Sequence, residues 1–135
     1  MKLLEDIKVG DTLWIIDSSE MPVMIALPVI NIIDEKIKKK IVFMAPTGNV
    51  VEIVHLISKL IRDFDEPFFN KFKGIIDDTE KPYLCSYDKK KLLNVYIDNL
   101  KESIKTTETV IEEGKRSLIL LKEKLLNATK IAEQN

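Results

Sequence analysis

Residues 93–132 read LNVYIDNLKESIKTTETVIEEGKRSLILLKEKLLNATKIA, a stretch without proline. Within it Leu93, Ile97, Leu100, Ile104, Thr107, Ile111, Gly114, Leu118, Leu121, Leu125, Ala128 and Ala132 follow one another at alternating spacings of four and three. That spacing holds one stripe of side chains on a single helical face, the heptad pattern of helices that pair. All but Thr107 and Gly114 are Leu, Ile or Ala, and those two are small. Ile97, Ile104 and Ile111 at a, with Leu93, Leu100 and Leu121 at d, favour parallel two-stranded pairing, whereas Leu118 and Leu125 at a leave an antiparallel pair or a larger bundle open.

Working outward, Ser86 is a good N-cap residue and Asp88 suits the positive end of a helix dipole. No proline follows Pro82 and most later residues are strong helix formers, so one helix is expected from Ser86 to about Ala132. Gly114 costs about 1 kcal/mol in a helix interior, which would permit a hairpin there. The unbroken register through Gly114 favours continuity. Residues 87–132 as helix extend roughly 69 Å, against about 30 Å for a globule of the preceding residues. Each seam Leu or Ile left in water forgoes roughly 1.5–3 kcal/mol. Leu93, Ile97, Leu100, Ile104, Ile111, Leu118, Leu121, Leu125 and Ala128 are therefore the candidate oligomer interface, in a dimer or small bundle. Val110, Ile119, Leu120 and Leu126 add apolar surface off the seam, which points to a bundle of more than two helices near the C-terminus.

Upstream the grammar is that of short strands and turns. Val9-Gly10-Asp11 is a turn signal, and Thr12 to Asp17 is apolar on both faces, as in a central strand. A β-branched stretch runs from Val23 to Ile33, where Pro28 should mark an edge or a bulge. Glu35 to Lys39 read as a hairpin tip, Lys40 to Met44 as the returning strand and Pro46-Thr47-Gly48-Asn49 as a turn. Val50 to Val54 are expected as a short strand passing into a helix through about Phe64. Residues 68–82 are expected to be irregular, with a brief strand at Gly74 to Ile76 and a last one at Tyr83 to Cys85. The fold class is thus α+β: a small antiparallel β-barrel-like domain with one short helix over residues 1–86, then a long coiled-coil-type helix over 87–135.

Composition sets bounds on function. The 135 residues are 45% apolar and 32% charged with a net charge of −1, which supplies a core and gives little drive toward nucleic acid. The single Cys85 forms no internal disulfide, and the longest apolar run, Met21 to Ile30, is about half a membrane span. A cytoplasmic protein outside the membrane is expected. His55 is the only histidine, and Cys85 lies in an apolar strand, so a nucleophilic pair of the two has no support in the spacing. Asp63, Asp65, Glu66, Asp77, Asp78 and Glu80 lack the glycine and spacing of a calcium loop. No phosphate loop or Cys pair is present. No catalytic residue, cofactor or metal is expected. Lys36, Lys38, Lys39 and Lys40 form a candidate basic contact for nucleic acid or an acidic protein, and read otherwise as solvated lysines that protect a sheet edge. Phe68 and Phe69 beside Lys71 and Lys73 could stack on single strands or plug the core.

Two segments, Ile7-Lys8-Val9-Gly10-Asp11-Thr12-Leu13-Trp14 and Tyr83-Leu84-Cys85-Ser86-Tyr87-Asp88-Lys89-Lys90, resemble uncharacterised small proteins of bacteriophages and mobile elements that join a little β-barrel to a terminal helix. In those proteins the start of the helix has paired acidic residues and an alanine, where this chain has Lys89 to Lys91. The resemblance implies an accessory protein and brings no catalytic residues. The chain is accordingly expected to be a non-enzymatic interaction protein, oligomerising through its helix and binding an unidentified protein partner through its β-domain. Nucleic-acid binding by the lysine hairpin is the alternative.

Overall fold

A computed structural model describes residues 1–17, 24–57 and 62–133. Six antiparallel strands, β1 (Thr12–Asp17), β2 (Met24–Asp34), β3 (Lys38–Met44), β4 (Val50–Leu56), β5 (Phe68–Lys73) and β6 (Glu80–Ser86), form a nearly closed barrel in the order β4-β3-β2-β1-β6-β5. A 3₁₀ turn at Leu4–Asp6 precedes them and one helix, α1 (Lys89–Glu133), follows. The first compact unit is Met1–Tyr96, and the second is Ile97–Asn135.

The apolar alternation of β1 explains its place. Leu13 and Ile15 are fully buried in the barrel interior with Leu27, Ile41, Phe43, Tyr83 and Cys85. On the opposite face Ile16 packs with Leu84 and Leu92, flanked by Trp14, Met24, Val95 and Tyr96. The strand is central, paired with β2 and β6, and the first turns of α1 cover its second apolar face.

Pro28 marks the corner of the barrel. Before it β2 pairs with β1, up to Thr12 opposite Pro28; beyond it β2 pairs with β3, with a register shift between Val29 and Asn31. Pro28 sits at a position of the β1 ladder that asks for no N–H, because the hydrogen bonds fall on its neighbour: Val29 N–H donates to Asp11 O at 2.8 Å, and Gly10 N–H donates to Val29 O at 3.0 Å. The irregularity after Val29 then re-aims the strand toward β3. The Pro46 to Asn49 turn closes with Ala45 N–H donating to Asn49 O at 2.8 Å, and Gly48 supplies the positive φ of 88°.

Between β4 and β5, the two ends of the strand order, side chains make the junction. Thr47 Oγ1 and Asn49 Nδ2 both donate to Gly74 O, at 2.9 and 3.1 Å. A Cβ on Gly74 would stand 3.0 Å from Asn49 Nδ2, and its φ of 83° also favours glycine. At the other end the Phe64 ring meets His55 and Phe68 edge-on, with centroids 4.7 and 6.2 Å away.

Three expectations are corrected. β4 continues to Leu56, and Arg62 to Phe64 are not helical, so no helix runs from Val54 to Phe64 among the described residues; the remainder of that expectation, residues 58–61, lies outside them. Seven register pairs with β3, from Met44↔Val50 to Lys38↔Leu56, hold this β-branched segment extended. Residues 68–82 contain β5 and the start of β6, and Gly74 to Ile76 lie in bends rather than a strand. The helix begins after Asp88, whose Oδ1 accepts from Lys90 N–H and Lys91 N–H at 3.0 and 3.1 Å; Ser86 Oγ accepts Asp88 N–H one step earlier. Asp88, not Ser86, is the cap.

Candidate functional site

α1 is continuous over its 45 residues, through Gly114, so the hairpin alternative is absent. Leu92 is the only buried residue of the helix. From Ile97 to Glu133 every residue is exposed, including Ile97 (39%), Ile104 (57%), Leu118 (52%), Leu121 (60%) and Leu125 (69%). The helix backbone brings Leu93, Ile97, Leu100, Ile104, Ile111, Leu118, Leu121, Leu125 and Ala128 onto one face at heptad spacing, and each of them is exposed. Val110, Ile119, Leu120, Leu126 and Ile131 are exposed beside it. No helix among the described residues is long and apolar enough to cross a membrane.

The lysine hairpin carries less unopposed charge than its sequence suggests. Lys38 pairs with Glu35 at 3.4 Å, Lys40 with Glu52 at 3.7 Å and Lys39 with Asp34 at 3.9 Å. Lys39 Nζ also donates to Leu4 O at 3.2 Å. Alternation along β3 turns Lys39 to the opposite face from Lys38 and Lys40, leaving Lys36 exposed at the tip. The same alternation separates the two phenylalanines: Phe68 packs on the core, while Phe69, at 69% exposure, shares the outer face of β5 with Lys71 and Lys73.

His55 and Cys85 do not meet as a nucleophile and its base. Cys85 is fully buried on β6, its Sγ donates to Tyr83 O at 3.4 Å, and burial pushes the thiol up to about 12. A thiol so held is inert. His55 borders a cleft of about 1140 Å³ with Leu56, Arg62 and Phe64. Its Nε2 is buried with no hydrogen-bond partner among the described residues, and burial, helped by the charge of Arg62, lowers the imidazole to about 4. The native state therefore holds His55 neutral, while the unfolded chain binds a proton below about pH 6.5. Its contribution is complete above that value and falls away as pH drops toward 4. Because the ring is partly solvated, the expected loss is about 1–2 kcal/mol between pH 7 and 4.5. Urea denaturation at the two pH values checks this, and His55→Phe should flatten the dependence across that window.

The carboxylates serve local structure. Asp63 Oδ1 accepts from Lys2 N–H at 2.8 Å and from Asp65 N–H at 2.9 Å, which lowers its pKa, and Asp77 caps its own turn through Thr79 N–H at 2.8 Å. Among the described residues no three His, Cys, Asp or Glu side chains come together as a metal set.

The chain thus belongs to the class of α+β proteins in which a small antiparallel barrel is followed by a single long helix. Comparison with protein-family models, curated proteins and solved structures found no match.

Proposed function

We propose that this protein is a non-enzymatic assembly protein that oligomerises through the heptad face of α1 and presents its barrel to a protein partner. The observation that carries this reading is the exposed, unbroken seam from Ile97 to Leu125. Burying Ile97, Leu100, Ile104, Ile111, Leu118, Leu121 and Leu125 at about 2 kcal/mol each returns on the order of 25 kcal/mol for two chains. That exceeds the roughly 4–15 kcal/mol cost of association. The exposed apolar residues Ile37, Val50, Leu56 and Phe69 give the barrel material for a protein contact. The ion pairs of Lys38, Lys39 and Lys40 support a protein partner over nucleic acid. The phage or mobile-element resemblance suits an accessory role. Light scattering on the full chain at micromolar concentration is expected to give a mass of two or more chains. A mass of 15.5 kDa at every concentration would overturn the reading.

A further inference from the structure

We infer that the partner of α1 is a second copy running antiparallel, with the two-fold axis at the level of Glu112 and Glu113. The inference rests on the self-assembly just proposed and adds its sense and register. Because the helix passes straight through Gly114, its face can be laid against its own reverse. In that register Leu93 faces the partner's Ala132, Ile97 the partner's Ala128, Thr107 the partner's Leu118 and Ile111 the partner's Gly114. Leu100 meets the partner's Leu125, and Ile104 meets the partner's Leu121. Every small seam residue thus falls opposite a large one, the condition for layers that fill evenly. A parallel pair in register instead stacks Gly114 on Gly114, Thr107 on Thr107 and Ala128 on Ala128, and a one-heptad stagger sets Thr107 against Gly114. Either leaves layers that are underfilled. The β-branched residues at a favour a parallel pair, but that preference covers only the three layers at Ile97, Ile104 and Ile111.

Charge selects the same sense. Residues 97–112 hold Asp98, Glu102, Glu108 and Glu112 against Lys101 and Lys105, a net −2. Residues 113–128 hold Lys115, Arg116, Lys122 and Lys124 against Glu113 and Glu123, a net +2. Antiparallel packing sets each acidic half beside a basic half, and a parallel pair sets like beside like. At the flanks Glu108 approaches the partner's Lys115. Lys101 approaches the partner's Lys122 unfavourably, at a solvated rim where a like pair costs little.

Cysteine pairing reads the sense directly, since the native Cys85 is fully buried and the unsubstituted chain serves as the blank. Leu100→Cys and Leu125→Cys chains, mixed in equal amounts and oxidised, should give at least tenfold more mixed disulfide dimer than either gives alone. Glu108→Cys with Lys115→Cys, joined by a short bifunctional thiol reagent, repeats the test without touching the seam. Self-linking of Leu100→Cys, or no mixed product at 108 and 115, in chains that still scatter as dimers overturns the antiparallel register while leaving self-assembly standing. A trimeric mass also overturns it, and a monomeric mass overturns both.

Discussion

Replacing Leu118 and Leu121 together by Asp is expected to turn the protein into a monomer at concentrations where the parent chain is assembled. A pair of chains loses four leucines from its seam, at about 2 kcal/mol each, and gains carboxylates in their place. The dissociation constant should rise by at least about a thousandfold. Both positions lie beyond the compact unit Met1–Tyr96, so the barrel itself should be untouched. Light scattering should report the smaller mass, and near-ultraviolet circular dichroism should keep the signal of the buried Tyr83. An unchanged mass would place the contact elsewhere on the chain.

The second large effect belongs to the barrel. Phe43 is fully buried on β3, opposite Val29 on one side and Val51 on the other. Phe43→Ala should cost about 3–5 kcal/mol, the transfer of the ring plus the cavity left in the barrel core. In a domain of this size, whose stability is on the order of 5–15 kcal/mol, that is a loss of roughly a fifth or more. Trp14, the single tryptophan, sits beneath the Lys89 ammonium at 4.6 Å and reports unfolding by fluorescence. Val54→Ala, on the exposed outer face of β4, should change stability by less than about 0.5 kcal/mol.

Where local pattern and tertiary demand agree, the fold was legible. Thr12 to Asp17 alternates on both faces because the barrel core and the helix start each need one, and Pro28 stands where β2 exchanges neighbours. The long helix was legible from its period alone. The segment after Val50 was not, because Val50, Ile53, Val54 and Ile57 fit a helical stripe as well as a strand, and pairing with β3 decides between them. β5 was obscured by Asn70, Lys71 and Lys73, although Phe68, Asn70 and Phe72 alternate with outward Phe69, Lys71 and Lys73. That alternation was the signal that could have found it.

The candidate interface was readable because an exposed face depends only on helical period and length, both encoded locally. The lysine hairpin was less so. Glu35 lies only three residues from Lys38, but Asp34 and Glu52 come from β2 and β4, and only strand register brings them within 4 Å of Lys39 and Lys40. His55 lay in the same blind spot, since its burial depends on Phe64 closing over it from a segment nine residues away.

Mass alone does not say which surface is covered, so the most direct measurement is backbone hydrogen exchange along α1 as a function of protein concentration. Amides between Ile97 and Ala128 should be protected throughout about 1–100 μM and lose that protection only on dilution below the dissociation constant. If those amides exchange at the same fast rate throughout that range, the heptad face stays in water and the account fails.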